Sequence, residues 1–581
     1  MFGGAYSFSG SPGDASTYTA DGIAMKGQGD SRVTMKLTID TIQEFKQQQA
    51  LFSAESGGSA NVNVITRSGT NQFHWGAWEF NRDSKFDAPN YFDQGQKPPF
   101  TLNQFGGTVG GQIVKNRTFY FGSYEGTRIT KSVGRAFTVP SLTLRAGDFR
   151  GRSIIYDPAT TRPDPLRPGQ FIRDPFPNNV IPADRIDPVA KRTLDMLFPL
   201  PDRAGTVQNL FAPLRNDTTE DQFTVRVDHQ FSPRNNTFVR YSMTDPRRYN
   251  TSFANLPNYA DWWNTKAHNA VISNTHVFSQ RLVNELRFGY NRMFQYLVAT
   301  DQRDIPAMLG ITGTQSDIYP GPPTISISGY DSTASLSNTP NNRLEQTFVL
   351  SDKVSYSAGN HALGFGMELK KLLEDGGNRA GARGTFSFTL RFTTLPGVAG
   401  SGDPMAEFLL GYPSSATTAR GDGYSNIRQS TADFYVKDDW QVTPRLTLNI
   451  GLRYEYPSPL TETLNRLPNF DEATGVLVPV GPDGLMYERD LNNFAPRLGF
   501  AYQLFGNART VLRGGYGIFY SEPMTYMGWS AGSTLRQGVT VTANPTVPNI
   551  TLANAFPEAL RVESRNVTVI NRDLRTPYNQ Q

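Results

Sequence analysis

The 581-residue chain contains no cysteine. Disulfides, thiolate nucleophiles and thiolate metal sites are therefore excluded. Compartment stays open, because an oxidising space permits disulfides without requiring them. The chain also lacks any apolar run long enough for a membrane helix, which needs about 18 residues or more. Charge of one sign is scarce: 56 Lys and Arg against 52 Asp and Glu leave +4. With no Lys/Arg block, nothing supports a nucleic-acid-binding surface. The first residues, MFGGAYSFSGSPGD, carry neither a charged region nor a long apolar one and do not read as a secretory signal. None of these absences makes the chain soluble, because membrane β-barrels cross with strands of about ten alternating residues.

What is present is alternation. Hydrophobic residues are 38% of the chain and charged residues 19%, but glycine (53) and aromatics (12%) are plentiful. In residues 221–231, Phe223, Val225, Val227, His229 and Phe231 face one way, and Gln222, Thr224, Arg226, Asp228 and Gln230 the other. Leu446, Leu448, Ile450, Leu452, Tyr454 and Tyr456 repeat the pattern, as do Leu363, Phe365, Met367 and Leu369, and then Leu498, Phe500, Tyr502 and Leu504. A strand's side-chain period is two, so each is a ribbon with one apolar and one polar face. The strands read as about 10–12 residues long, against about 5–6 in ordinary sheets and about 9–11 for a membrane-crossing strand.

Connections alternate in length. Short ones fall at 232–236, 279–281, 357–360, 443–445 and 505–508. Long Pro/Gly/Asn/Asp-rich ones fall at about 131–219, 246–266, 298–344, 393–428 and 458–491. Tight turns on one side and long loops on the other suit an outer-membrane barrel. About 14 strand candidates lie between residues 72 and 521.

The first 70 residues differ in texture. Residues 1–38 read as a loop-rich cap with one short strand. Residues 40–50 read as a short helix, since Asp40 or Thr41 can cap it and Ile42 and Phe45 share a face. Residues 61–65 alternate as a strand, and the turn at 67–71 leads into the aromatic run 73–80.

Chemistry is sparse. His74, His229, His268, His276 and His361 show no metal-ligand spacing. Asp438 and Asp439 share a strand, so their side chains face opposite ways. The run Gly106-Gly107-Thr108-Val109-Gly110-Gly111 lacks the GK[ST] ending of a phosphate loop and reads as a place of close backbone approach.

An ordered series of segments carries a family resemblance. It comprises Thr19-Ala20-Asp21-Gly22-Ile23, residues 39–45, Phe52-Ser53-Ala54-Glu55-Ser56-Gly57-Gly58, and Val64-Ile65-Thr66-Arg67-Ser68-Gly69-Thr70-Asn71. Phe73-His74-Trp75-Gly76, residues 103–126, Ala406-Glu407-Phe408-Leu409-Leu410-Gly411, residues 446–454 and Phe494-Ala495-Pro496-Arg497-Leu498-Gly499-Phe500 continue it. Across nearly its whole length the chain resembles a TonB-dependent outer-membrane receptor of the Oar-like subgroup. The resemblance implies a mainly β fold: a transmembrane antiparallel β-barrel, incomplete at about 14 of about 22 strands, with a small partial α/β plug domain at the N-terminus. The plug would span residues 1–70 and the partial barrel 71–581. Family features upstream (signal peptide, regulatory-like β-sandwich domain, TonB box) and further strands downstream are not in this sequence. The chain is expected to be a fragment lacking both ends.

By the same resemblance, the parent would sit in the outer membrane of a Gram-negative-type bacterium. Its partners would be outer-membrane lipid, an extracellular ligand and a periplasmic TonB-type energy-transducing protein; no nucleic acid and no cofactor are implied. Glu44, Glu55 and Arg67 are the plug residues expected to gate, paired with inward barrel charges such as Arg226, Arg287, Arg453 or Arg513. Two other readings compete: a non-transporting adhesion or assembly protein of the outer membrane, and a soluble all-β enzyme. The latter, for example a propeller, would show a repeat of about 40–50 residues, and none is seen.

Overall fold

The computed structural model describes residues 16–27, 33–49, 53–58, 60–89, 97–251, 256–333, 339–421, 423–464, 466–471, 473–479, 485–505, 509–522, 525–531, 537–544, 546–564 and 568–581. The 505–508 turn therefore lies, apart from Phe505, outside the described residues. So do residues 1–15 of the N-terminal unit, and Phe52.

Two sheets organise the chain. The first is four-stranded: β1 (Ser16–Ala20), β2 (Ile23–Ala24), β3 (Ile42–Gln49) and β4 (Ala60–Thr66), in the order β2-β1-β4-β3. β1 and β4 pair in parallel, from Ser16 opposite Ala60 to Ala20 opposite Val64. The helix expected over 40–50 is not there. A single 3₁₀ turn, Ile39–Thr41, leads directly into strand β3, which pairs antiparallel with β4. The two apolar residues that suggested a helical face are outweighed by a ladder along β4 that runs from Ile42 to Gln49 with one register shift between Ile42 and Glu44, and three consecutive glutamines suit an edge strand.

The second sheet is an antiparallel meander that forms the wall. Its strands are β5 (His74–Asp83), β6 (Phe100–Val114), β7 (Thr118–Phe137), β8 (Leu210–Ser232), β9 (Asn235–Asn250), β10 (Asp261–Ser279) and β11 (Leu282–Ala299). They continue with β12 (Asn341–Ala358), β13 (His361–Asn378), β14 (Tyr424–Thr443), β15 (Leu446–Pro457), β16 (Phe494–Gln503), β17 (Val511–Tyr520) and β18 (Tyr578–Gln580). Neighbours in sequence are neighbours in space, and among the described residues β5 does not pair with β18, so the wall is not closed.

The polarity of this wall is inverted. In β8, Glu220, Gln222, Thr224, Arg226 and Asp228 are buried while Val225, Val227 and Phe231 are exposed. In β9, Arg240, Ser242 and Thr244 are buried while Val239 is exposed. The same holds for buried Asp433 against exposed Phe434 and Val436, and buried Arg453 and Glu455 against exposed Ile450 and Leu452. An aqueous surface does not favour such rows of valine and phenylalanine, whereas hydrocarbon does, with the polar face turned to a lumen.

Several wall strands outrun the expected 10–12 residues; β8 has 23 and β7 has 20. Their upper ends extend past the alternating band: Phe137, Leu210 and Leu214 enter a large apolar core outside the wall. That core is built by the long connections. Strands Thr324–Ile327, Thr385–Phe388, Ser415–Arg420, Gln537–Thr542 and Val562–Ser564, drawn from three connections, form a five-stranded sheet. Helix Pro188–Leu197, capped by Asp187, and helix Pro404–Leu409, capped by Asp403, pack Leu194, Leu197, Phe408 and Leu409 into the same core. Instead of separate irregular loops, the connections make a packed cap. Inside it Glu407 accepts backbone hydrogen bonds from Arg391, from Phe392 at 2.5 Å and from Thr393 at 3.2 Å.

Candidate functional site between the inner sheet and the wall

The four-stranded sheet and its connections touch the lumen face of the wall at several places, one of them the Asn269 amide donating to Ala24 O at 3.0 Å, and three others stand out. The first is built on Asp21. This residue has φ +49° and is followed by Gly22 at φ +83°, a left-handed turn that asparagine, aspartate and glycine tolerate best. The turn aims the carboxylate at the wall. Oδ1 and Oδ2 accept from Thr66 N (2.9 Å) and Thr66 Oγ1 (2.8 Å), and Arg240 Nε donates at 2.9 Å with Arg226 Nη1 at 3.4 Å. Arg240 also donates to Ala20 O at 3.1 Å, and Arg226 to Thr66 O at 3.0 Å. Arg226 and Arg240 face each other across β8 and β9. Two buried guanidiniums thus meet a carboxylate of the inner sheet's β1–β2 turn, with Asp228 balancing Arg226 at 2.8 Å.

The second contact lies at residues 53–58. Glu55 receives Lys353 Nζ at 2.5 Å and lies 3.7 Å from Lys437 Nζ. Burial raises its carboxyl, but the Lys353 hydrogen bond and the nearby cationic charges outweigh that and hold it below the ordinary glutamate value. Arg497 donates to Ser53 O (3.0 Å) and Ser56 O (2.8 Å), and Arg453 to Glu55 O (3.3 Å) while paired with Asp433 and Glu455. The third contact is a hydroxyl pair, Thr41 Oγ1 and Ser123 Oγ, 2.7 Å apart.

Two wall glycines permit the approach. A Cβ on Gly289 would stand 2.5 Å from the Ile23 side chain, and one on Gly451 would stand 2.7 Å from that of Ala54. Among the described residues, apolar packing between sheet and wall includes a small cluster of Ile23, Val271 and Val349 with Phe238 against it. Between sheet and wall lies a cavity of about 230 Å³ lined by Asn61, Asn63, Lys370, Glu368 and Glu522. Lys370 bridges Glu522 at 2.5 Å and Glu368 at 3.0 Å.

Of the residues singled out in the sequence, Glu55, Arg226 and Arg453 meet at this interface. The Arg287 guanidinium lies against Gly22 and pairs with Glu285. Arg67 sits at the junction, donating to Ile42 O at 3.2 Å. Glu44 and Arg513 are exposed and make no ion pair among the described residues. Asp21, Arg240 and Arg497 were missed. The signal for the arginines was their place on the polar face of their strands; for Asp21 it was the Asp-Gly pair, which forces a turn. The run at residues 106–111 lies within β6, and a Cβ on Gly106 would stand 2.6 Å from the Trp78 ring. No group of three or more His, Asp or Glu residues suited to a metal occurs among the described residues.

A family model described as an outer membrane beta barrel domain matches residues 65–581. The chain belongs to this family. The protein is thus an outer-membrane β-barrel protein. A search of curated sequences returns no match. Among solved structures, the outer-membrane transporter YddB of Escherichia coli aligns with 98% of this chain and 58% of its own, at 11% identity and a TM-score of 0.54. The ferric enterobactin receptor PfeA of Pseudomonas aeruginosa aligns with 88% of this chain and 56% of its own, at 10% identity and 0.45. The siderophore receptor PirA of Acinetobacter baumannii aligns with 91% and 61%, at 11% identity and 0.45. The barrel chain therefore spans a little over half the length of these structures, and the shared fold rests on the first of them.

Proposed function

We propose that the chain belongs to a TonB-dependent outer-membrane receptor that takes up an extracellular ligand by energised movement of a plug. Residues up to about 70 would be the plug and the meander its barrel wall. The observation that carries this reading is the nature of the contact between the two. It is dominated by arginine-to-carbonyl, carboxylate and hydroxyl contacts, with a small apolar cluster beside them. Apolar cores separate at a cost proportional to area, but polar contacts facing a lumen are replaced by water when they part. A sheet that must shift while the wall stays put is best held this way. Glu55, Asp21 and Thr41 would be the plug-side contacts, and Arg226, Arg240, Arg453 and Arg497 their wall-side partners. The periplasmic partner would be a TonB-type protein drawing on the proton-motive force.

The absence of native cysteine gives a direct test. A Thr41→Cys variant places one thiol at the buried hydroxyl contact. In energised cells carrying the full gene, maleimide labelling of that thiol should rise several-fold and collapse on adding an uncoupler. Labelling indifferent to the uncoupler contradicts a plug that moves. It would favour the second reading, an adhesion or assembly protein of the outer membrane, to which the size of the folded cap lends support.

A further inference from the structure

Among the described residues, five short turns join β6 to β7, β8 to β9, β10 to β11, β12 to β13 and β14 to β15. In each, the residue just before the second strand gives its backbone carbonyl to the neighbouring hairpin. Arg117 O accepts from Gln230 N at 2.8 Å, Arg234 O from Val277 N at 2.7 Å and Arg281 O from Ser357 N at 2.9 Å. Asn360 O accepts from Gln441 N at 2.8 Å, and Arg445 O from Gln503 N at 2.9 Å. The bond uses the main chain alone, and Asn360 makes it as well as the others, so the turn itself does not require arginine. Four of the five turns nevertheless carry one at this position.

Strand parity sets where these side chains stand. Arg117 is six residues from Ser123, Arg234 six from Arg240, Arg281 six from Arg287 and Arg445 eight from Arg453. All four reference residues are on the lumen side and meet the inner sheet or its connections. An even separation keeps the turn arginines on that same side of the rim. The lipid face at this level belongs to exposed Phe231 and Phe278. Alternate strands stand about 10 Å apart, so the arginines line the mouth over about 40 Å. All four are exposed, and none has an ion pair or side-chain hydrogen bond among the described residues. No Asp or Glu occurs in the five turns. Carboxylates near the strand ends are engaged elsewhere: Asp228 with Arg226, Asp352 with Asn284 and Asp438 with His361. Exposed charges of this kind contribute little to stability, so holding the fold does not account for the row.

We propose that this row binds the stem-peptide carboxylates of peptidoglycan, seating the mouth of the wall on the cell-wall polymer. The short turns lie opposite the cap, at the end of an outer-membrane barrel that faces the periplasm. A guanidinium matches a carboxylate through two parallel hydrogen bonds, which an ammonium cannot do. Peptidoglycan repeats its free carboxylates along each strand. A row of arginines at regular pitch can meet several of them at once, and linked contacts retain a partner far better than one pair does. Lumen-side parity turns the row away from membrane phosphate. The binding does not depend on movement of the inner sheet.

The test is co-sedimentation of the full chain, in nonionic detergent, with purified peptidoglycan sacculi. Wild type should sediment with the sacculi. The quadruple variant Arg117→Gln/Arg234→Gln/Arg281→Gln/Arg445→Gln should be retained about tenfold less, because pairs that are weak singly add when linked. Unchanged β-sheet circular dichroism would verify its fold. Sacculi whose carboxylates have been amidated should bind wild type no better than untreated sacculi bind the variant. Should the variant not fold, this comparison of two probes on wild type decides by itself. Failure of wild type to sediment overturns the proposal, as does equal retention by the folded variant or by amidated sacculi. Displacement of wild type from sacculi by phosphatidylglycerol vesicles overturns the assignment to the cell wall in favour of lipid phosphate.

Discussion

In wall strand β8, Val225 and Val227 are exposed while Thr224, Arg226 and Asp228 are buried. In the cap strand Thr385–Phe388, the order is reversed: Phe386 and Phe388 are fully buried, and Thr385 and Ser387 are half-exposed. Both segments alternate with period two, and from sequence alone each is a two-faced ribbon. The difference lies in what surrounds them. Cap side chains meet water on the outside and each other within, so burial follows the usual hydrophobic rule. Wall side chains meet hydrocarbon on the outside and a polar sheet within, so the apolar residues go outward. One chain thus holds two cores built on opposite rules, and β7 and β8 pass from one to the other along their length, with Phe137 and Leu210 already in the cap core.

The largest effect should come from the polar core. Asp21→Ala leaves Arg240, which is fully buried, without its carboxylate. Breaking a buried pair from one side costs about 3–5 kcal/mol. Urea unfolding in detergent micelles should show that loss, and a change below about 1 kcal/mol would mean that the lumen already solvates the arginines. In the cap, Phe408→Ala removes a ring that packs edge-on against Phe388 with centroids 5.1 Å apart. Its expected cost is similar, about 3–5 kcal/mol, but hydrogen exchange should localise it to the cap while the wall stays protected.

The cap should also answer to pH. Burial pushes the Glu407 carboxyl up from 4.5 to about 7, against the opposing pull of the three backbone N–H donors. The folded cap therefore keeps a proton that the unfolded chain releases. Stability from this group is full below pH 4.5 and falls as pH rises to about 7, by about 3 kcal/mol. Glu407→Gln should flatten the profile between those limits, and a cap that gains stability as pH rises from 5 to 7 would contradict the assignment. The smallest effect belongs to the outer face of the wall. Val225→Arg should cost about 2–4 kcal/mol if position 225 lies near the bilayer midplane, declining to about 0–1 near an interface. The same change at an exposed cap position such as Val207 should cost almost nothing.

The wall was legible because its signal is local. Each strand writes its own alternation, as Phe223 to Phe231 and Leu446 to Tyr456 do, and each short turn marks the next. The cap was not, because its sheet joins segments from separate connections whose proline and glycine content reads as loop. Nothing near Phe386 announces that Val541, 155 positions away, will share its core. Strand β3 was misread as a helix because Ile42 and Phe45 fit a helical face over too short a span, while its true partner lies across a turn. At the inner interface, parity told which way Arg226 and Arg453 point but not how high they sit. It therefore also admitted Arg513, which makes no such contact among the described residues, and gave no hint that Asp21 is the carboxylate between Arg226 and Arg240.

The central claim is the inverted polarity of the wall, and the cysteine-free chain allows it to be tested residue by residue. Single cysteines at positions 224 to 227 and 239 to 242, spin-labelled in the protein in its outer membrane, would be probed with oxygen, which concentrates in hydrocarbon, and with a water-soluble nickel chelate. The account predicts high oxygen accessibility at 225, 227, 239 and 241 and low accessibility to both reagents at 224, 226, 240 and 242. Nickel accessibility at 225 and 227 equal to that of a solvent-exposed cap position would contradict it.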